Sequence, residues 1–315
     1  MDTLNSINAL VSSGRIMPLD GGLGSELASR GYDTSSSLWS ADLILTRPSA
    51  LIEVHRAYLD AGARCITSAS YQASLPGLLA RGLSESEARG VIVDSVKLAC
   101  RARDEFLRDN PDCSYRPLVA ASVGPYGAYL ADGSEYRGNY AVTDAELLEF
   151  HRPRLEWLDQ SGADLIACET MPDLREAILL SDLLKRLVTP AWFSFCCRDE
   201  LSLHDGNSIN SAAQVFRNHP TVVAVGVNCV PSELISGLVK RIKAELADKW
   251  IVVYPNSGEQ YDAGQKSWSG GQSLPQWLDQ LQDWREAGVN LIGGCCRVCP
   301  QQIRALVKNL NIDAG

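Results

Sequence analysis

The sequence predicts an α/β protein: one (β/α)8 barrel of the TIM type, with elaborated loops on the face where its strands end. Three observations carry this expectation. Short apolar runs alternate with amphipathic stretches along the chain. Eight such runs can be counted, most of them four to six residues long, as barrel strands are. One local pattern also recurs, as LDAGARCIT at 59–67, LDQSGADLIA at 158–167 and REAGVNLIG at 285–293. Each copy reads as a helix ended by glycine, a tight turn and a buried strand. Strand–helix alternation yields a parallel sheet, and eight units favour closing it over leaving it open and doubly wound. A chain of 315 residues, 45% of them hydrophobic, can fill that core, so 1–315 is expected to form one domain.

The predicted strands fall at 16–19, 65–68, 118–122, 165–168, 191–195, 222–227, 251–254 and 290–292. Between them, 48–61 places Leu51, Val54 and Tyr58 on one helical face. A long helix is predicted over 84–104, opened by the capping-box pair Ser84 and Glu87, and another from Thr143 with Glu146 three residues on. Helices are also predicted over 232–250 and 275–287. Gly62, Gly162 and Gly288 stand where helix ends need a left-handed residue. The polar segment PNSGEQYDAGQKSWSGGQS, 255–273, reads as a long loop at the rim of the barrel, or a lid over it.

Charge narrows the function. There are 29 basic and 38 acidic residues, a formal charge of -9, and no dense Lys/Arg block, which argues against nucleic acid as a partner. No apolar run approaches the roughly 18 residues that suggest a membrane span. The opening MDTLNSINALVSSGR lacks the basic start and apolar block of a secretory signal. Ten cysteines suit a reducing cytosol, where thiols stay free for metal binding or catalysis, so a cytoplasmic location is expected. Nothing in the periodicity marks an interface: a monomer fits, and a homo-oligomer is left open.

The residues that follow the strands converge above one floor if the barrel closes. They include Asp20-Gly21-Gly22, Ser70-Tyr71, Gly124-Pro125-Tyr126, Glu169-Thr170, Asn228-Cys229, Pro255-Asn256-Ser257-Gly258 and Gly293-Gly294-Cys295-Cys296. Cys229, Cys295 and Cys296 can supply three thiolates to a zinc ion and leave its fourth position open. Gly293 and Gly294 free the backbone to turn both adjacent thiols toward one point. Two other readings stay open. Cys296 and Cys299 form a CxxC, which suits a thiol–disulfide redox enzyme. A saturated four-cysteine site with Cys299 would be a non-enzymatic zinc-stabilised scaffold. Cys196-Cys197 reads as packing at a strand end.

Asp20 and Glu169 are the carboxylates placed to hold a substrate ammonium through charge-assisted hydrogen bonds. Gly21 and Gly22 can offer backbone N–H groups to a carboxylate, and Asn228 can orient substrate or bind backbone beside Cys229. The four histidines show no zinc-ligand spacing; His55, His151 and His219 read as structural, with His204, in the SLHDGNS loop, the one that could touch a substrate. Aromatic faces can meet a cationic substrate, and Trp39, Tyr71, Tyr126 and Tyr129 are the candidates.

These residues lie in strings that resemble the zinc-dependent homocysteine S-methyltransferase family: LDGGLGSELASRG, LWSADLI, ITSASYQAS, ACETMPDLREA, VGVNCVP, VVYPNSGEQYD and GGCCRVCP. The resemblance spans nearly the whole chain, and LWSADL and YPNSGE are closest to members that use S-methylmethionine. It implies a barrel in which Cys229, Cys295 and Cys296 bind Zn2+, and homocysteine's sulfur joins the metal. Asp20 and Glu169, helped by backbone at Gly21 and Gly22, would grip the amino-acid end, with Asn228 and Ser257 lining the pocket. The implied reaction moves a methyl group from S-methylmethionine, or from S-adenosylmethionine, to zinc-bound homocysteine thiolate and forms methionine.

Overall fold

Eight parallel strands close into a ring in the computed structural model, which describes residues 16–34, 36, 38–262, 267–270 and 274–310. They are β1 (Met17–Pro18), β2 (Cys65–Thr67), β3 (Leu118–Val123), β4 (Leu165–Met171), β5 (Ala191–Phe195), β6 (Val222–Asn228) and β7 (Trp250–Tyr254). After an antiparallel hairpin of β8 (Glu259–Asp262) and β9 (Ser267–Gly270) comes β10 (Leu291–Ile292). The order is β1-β10-β7-β6-β5-β4-β3-β2, so each strand but the last lies beside its sequence neighbour in the barrel. The seam is shut between β1 and β2. Leu19 bridges Cys65 in parallel, the Arg64 N–H donates to Pro18 O at 2.8 Å, and the Asp20 N–H donates to Cys65 O at 3.0 Å.

Two apolar layers result. Residues that alternate inward along the strands fill the barrel, among them Met17, Leu118, Leu165, Ala224, Val252 and Leu291. Their outward neighbours, such as Val119, Ile166, Phe193, Val225 and Ile251, pack against the helices. Burial on both faces is why the strands read as continuous apolar runs.

The helices start and stop where local chemistry directs. Ser84 and Glu87 form a reciprocal capping box at Glu85–Asp109, and Thr143 and Glu146 do so at Asp144–Asp159. Gly62, Gly162 and Gly288, which end the three repeated units, are left-handed, with φ of 100°, 88° and 91°.

Four expectations need correction. The helix expected over 232–250 is a 3-10 turn at Ser232–Leu234 and a helix at Ile235–Glu245, and Trp250 already belongs to β7. Its apolar face ends at Ile242, and the β-branched run Ile251–Val253 belongs to a strand. The stretch 275–287 splits into helices Leu274–Asp279 and Leu281–Ala287. The long loop over 255–273 contains the β8–β9 hairpin; 263–266 and 271–273 lie outside the described residues. β4 runs three residues further than predicted, through a bulge between Cys168 and Met171, and so carries Glu169 and Thr170 itself. Among the described residues no helix is long and apolar enough to cross a membrane.

Candidate metal and substrate site

At the C-terminal end of the barrel, β6 delivers Cys229 and the turn after β10 delivers Cys295 and Cys296. The Cys295 Sγ lies 3.0 Å from the Cys229 Sγ, and the Cys229 Sγ lies 3.6 Å from the Cys296 Sγ. All three sulfurs fall within 4.8 Å of one another. Ligands about 2.3 Å from a tetrahedral metal stand roughly 3.8 Å apart, so the donor set fits a thiophilic ion with small adjustments. Cys299 caps the helix Pro300–Asn309 and stands outside this group.

The backbone is bent to achieve this. Cys229 and Arg297 both sit in the left-handed region, with φ of 56° and 66°. Such strain persists only where the surroundings hold it, and here they do. The Gly294 N–H donates to Asp20 O at 2.9 Å and the Cys295 N–H to Pro255 O at 2.8 Å. The Cys296 N–H donates to Asn256 Oδ1 at 3.2 Å, and the Arg297 N–H to Ser25 Oγ at 2.9 Å. The loop after β1 presses against the thiol loop so closely that a Cβ on Gly22 would lie 2.6 Å from the Cys295 carbonyl oxygen. The Gly22 N–H is donated to Val298 O at 3.0 Å, so this glycine serves close approach and is no free donor for a substrate carboxylate.

Hydrogen bonds from Cys229 and then Cys295 hold Cys296 well below the ordinary thiol pKa, whereas Cys295 is pushed up as their donor.

The two predicted carboxylates face the same cavity of about 390 Å3 as the thiols and Gly21 do. Asp20 Oδ2 accepts from the Thr67 N–H at 2.7 Å and its hydroxyl at 3.1 Å. Burial nevertheless pushes its pKa to about 8. Glu169 accepts from the Ser122 hydroxyl, and burial pushes it to about 7. Both lack a cation: among the described residues that line the cavity there is no Lys, Arg or His.

Asn228 and Ser257 act behind the cavity wall. Asn228 Oδ1 accepts from the Thr170 N–H and from Ser194 Oγ, each at 2.7 Å, while its Nδ2 donates to Thr170 Oγ1 at 2.8 Å. That clamp holds Thr170 at φ 61°, a costly conformation for a β-branched residue, and thereby aims Glu169. Asn228 Nδ2 also reaches Cys295 Sγ at 3.8 Å. Ser257 is buried, and its N–H braces Cys296 O at 3.1 Å.

Of the aromatic candidates, Tyr71 lines the cavity. Tyr126 and Tyr129 pack instead on Phe150, with ring centroids 5.0 and 5.4 Å away, and the Trp39 side chain lies outside the described residues. Tyr136, Tyr254 and Trp192 line the cavity and escaped the sequence reading. Tyr254 closes β7, a strand-end position that could have drawn attention to it, whereas nothing periodic marks Tyr136. His204 Nε2 lies 3.5 Å from Cys196 Sγ, and His151 is bonded to Glu176 at 2.7 Å, so neither is free to act as a base on substrate.

A model of the homocysteine S-methyltransferase family matches residues 17–310. The chain belongs to that family. It is 45% identical over 306 residues to the homocysteine S-methyltransferase YbgG of Bacillus subtilis, covering 96% of this chain and 97% of that one. It is also 45% identical to the homocysteine S-methyltransferase of Escherichia coli, over 97% of this chain and 99% of that one. A selenocysteine Se-methyltransferase of Brassica oleracea is 43% identical, over 98% and 93%. The crystal structure of the metallated form of the homocysteine methyltransferase MmuM from Escherichia coli superposes with a TM-score of 0.85 at 43% identity, covering 96% of this chain and 99% of that one. In this family member, the three-thiol group is a donor set suited to a metal.

Proposed function

We propose that this chain is a homocysteine S-methyltransferase that takes the methyl group of a sulfonium, S-methylmethionine first and S-adenosylmethionine second, and forms methionine. The observation that carries the reading is one cavity holding three clustered thiols and two buried carboxylates with no cation beside them. Cys229, Cys295 and Cys296 would hold zinc, whose Lewis acidity keeps an incoming thiol ionised near neutral pH.

The protein's own groups do the rest. Asp20 and Glu169 accept hydrogen bonds from the ammonium of homocysteine, which draws off the protons that burial had retained on them. Asn228 fixes the strand end that bears Glu169, and Ser257 fixes Cys296. Tyr71 offers an aromatic face to the sulfonium. That attraction suits a donor whose positive charge vanishes in the transition state, because a stronger ionic grip would stabilise the ground state more. The new bond joins homocysteine sulfur to the methyl carbon. The old carbon–sulfur bond breaks, and its electron pair stays on the donor sulfur, which leaves as a neutral thioether. Holding both sulfurs in line supplies much of the rate. The free thiols suit the cytoplasm, where the surroundings are reducing.

A donor panel on the zinc-loaded enzyme tests this. Incubation with homocysteine and S-methylmethionine should yield two methionines per donor consumed, measured by mass spectrometry. Failure to transfer from either sulfonium, with transfer from betaine instead, would overturn the donor assignment. Failure with every methyl donor would overturn the activity.

A further inference from the structure

A third carboxylate reaches this cavity from a segment that the reaction outlined above does not use. After β3 the chain makes the short helix Tyr126–Leu130, reverses through left-handed Ala131 (φ 52°) and Gly133 (φ 81°), and returns as a 3-10 turn at Ser134–Tyr136. The turn is seated firmly: a Cβ on Gly127 would fall 2.5 Å from the Glu135 nitrogen. It carries two side chains into the cavity. The Tyr136 hydroxyl stops 3.5 Å from the Cys229 Sγ, and Glu135 lies beside it on the wall.

The Glu135 Oε2 is buried and has no hydrogen-bond partner. Arg137, the nearest cation in sequence, is engaged elsewhere, with Asp132 Oδ2 at 2.9 Å and Ser134 Oγ at 2.7 Å. The cavity lining supplies no other cation among the described residues. A buried carboxylate oxygen without a donor is costly, and a ligand that brings one removes the cost. Glu135 comes from the turn after β3, whereas Asp20 follows β1 and Glu169 lies on β4. Glu135 thus enters the cavity from a different segment, next in the chain to the Tyr136 hydroxyl that borders Cys229.

We propose that Glu135 is the donor-side specificity residue: its Oε2 accepts a hydrogen bond from the α-ammonium of a sulfonium amino acid, so donors with a free ammonium are preferred over cationic methyl donors without one. The inference rests on the methyl-transfer reading above. Each substrate then has its own carboxylate, Asp20 with Glu169 for the acceptor and Glu135 for the donor. A quaternary ammonium such as betaine has no N–H to give.

The test compares two donors on the zinc-loaded enzyme: S-methyl-L-methionine and (3-carboxypropyl)dimethylsulfonium, which is the same molecule without the amino group. Glu135→Gln should raise the KM for S-methyl-L-methionine about 10- to 100-fold, the loss expected of one charge-assisted hydrogen bond. The KM for homocysteine, and that for the amine-free sulfonium, should change less than about twofold. Glu135→Asp, which keeps the charge, should fall between, with the melting temperature of both variants confirming the fold. An unchanged donor KM in an active Glu135→Gln enzyme overturns this inference alone. So does an equal rise for both sulfoniums, or a rise confined to homocysteine. If the unaltered enzyme transfers no methyl group from any sulfonium, the underlying reading falls and takes this one with it.

Discussion

The chain contains two adjacent cysteine pairs at the ends of barrel strands, and they have opposite fates. Cys196-Cys197 follows β5 and is packed away, at 0% and 3% exposure. Cys196 Sγ faces the Cys229 carbonyl oxygen at 3.6 Å, while Cys197 bridges to Leu203 in an extended turn. Burial raises the pKa of both thiols. Cys295-Cys296 follows β10, meets a third thiol, and opens on the cavity. Identical residue pairs therefore become either core or candidate ligands according to the backbone that presents them. Left-handed Cys229 and Arg297, with the pressed-in loop at Gly22, turn the second pair inward.

The largest effect should come from removing the second pair while sparing the first. Cys295→Ala or Cys296→Ala should lose most of the bound zinc and about a thousandfold in kcat/KM, because the metal's role in activating the thiol goes with it. Cys196→Ala should keep full metal content. Elemental analysis of the folded proteins checks both halves, and equal zinc in all variants would erase the distinction between the pairs.

Asp20→Asn comes next. It should weaken homocysteine binding about 10- to 100-fold by calorimetry, through loss of a charge-assisted bond, and leave donor binding unchanged. A homocysteine affinity equal to that of the unaltered enzyme would remove the carboxylate from the acceptor site.

The same residue should leave a mark on stability. Asp20 is raised from 3.8 to about 8 and Glu169 from 4.5 to about 7, so the folded chain holds protons that the unfolded chain releases. Their contribution is fully favourable below about pH 4 and is lost as pH rises to about 8. Denaturation of the metal-free protein should therefore show Asp20→Asn gaining on the unaltered chain across that window. A constant difference would mean that Asp20 is ionised throughout. The smallest effect belongs to the core pair: Cys197→Ala should cost about 1 kcal/mol by denaturant titration, with zinc content unchanged.

Most of the barrel was legible because its strands are apolar on both faces and its helix ends carry their own signals. The capping boxes at Ser84 and Thr143 are local chemistry, readable wherever they occur. The ligand candidates were legible because thiols at strand ends are few. What stayed hidden depends on distance in space. Glu169 and Thr170 fall within β4 because pairing with β5 resumes at Met171 beyond the bulge, and Asn228, 58 residues after Thr170, bonds the Thr170 backbone. Gly22 read as an anion-binding turn because nothing local reveals that its N–H will be taken by Val298 O. Glu135 and Tyr136 lie in a segment without periodicity, and their place in the cavity follows from two left-handed residues at 131 and 133. Tyr126 and Tyr129 were misplaced for the converse reason: Phe150, on a neighbouring helix, claims their rings.

β10, the last strand of the ring, is wedged between β1 and β7 and carries two of the three sulfurs just beyond it. A ribosome delivers that wedge only after the other seven strands of the ring have emerged. Until then Cys229 lacks the two thiols that stand 3.0 and 3.6 Å from its sulfur in the finished fold. A metal held by the three thiols would therefore be taken up only once β10 is in place, and a product cut short before β10 would lack two of its three sulfurs.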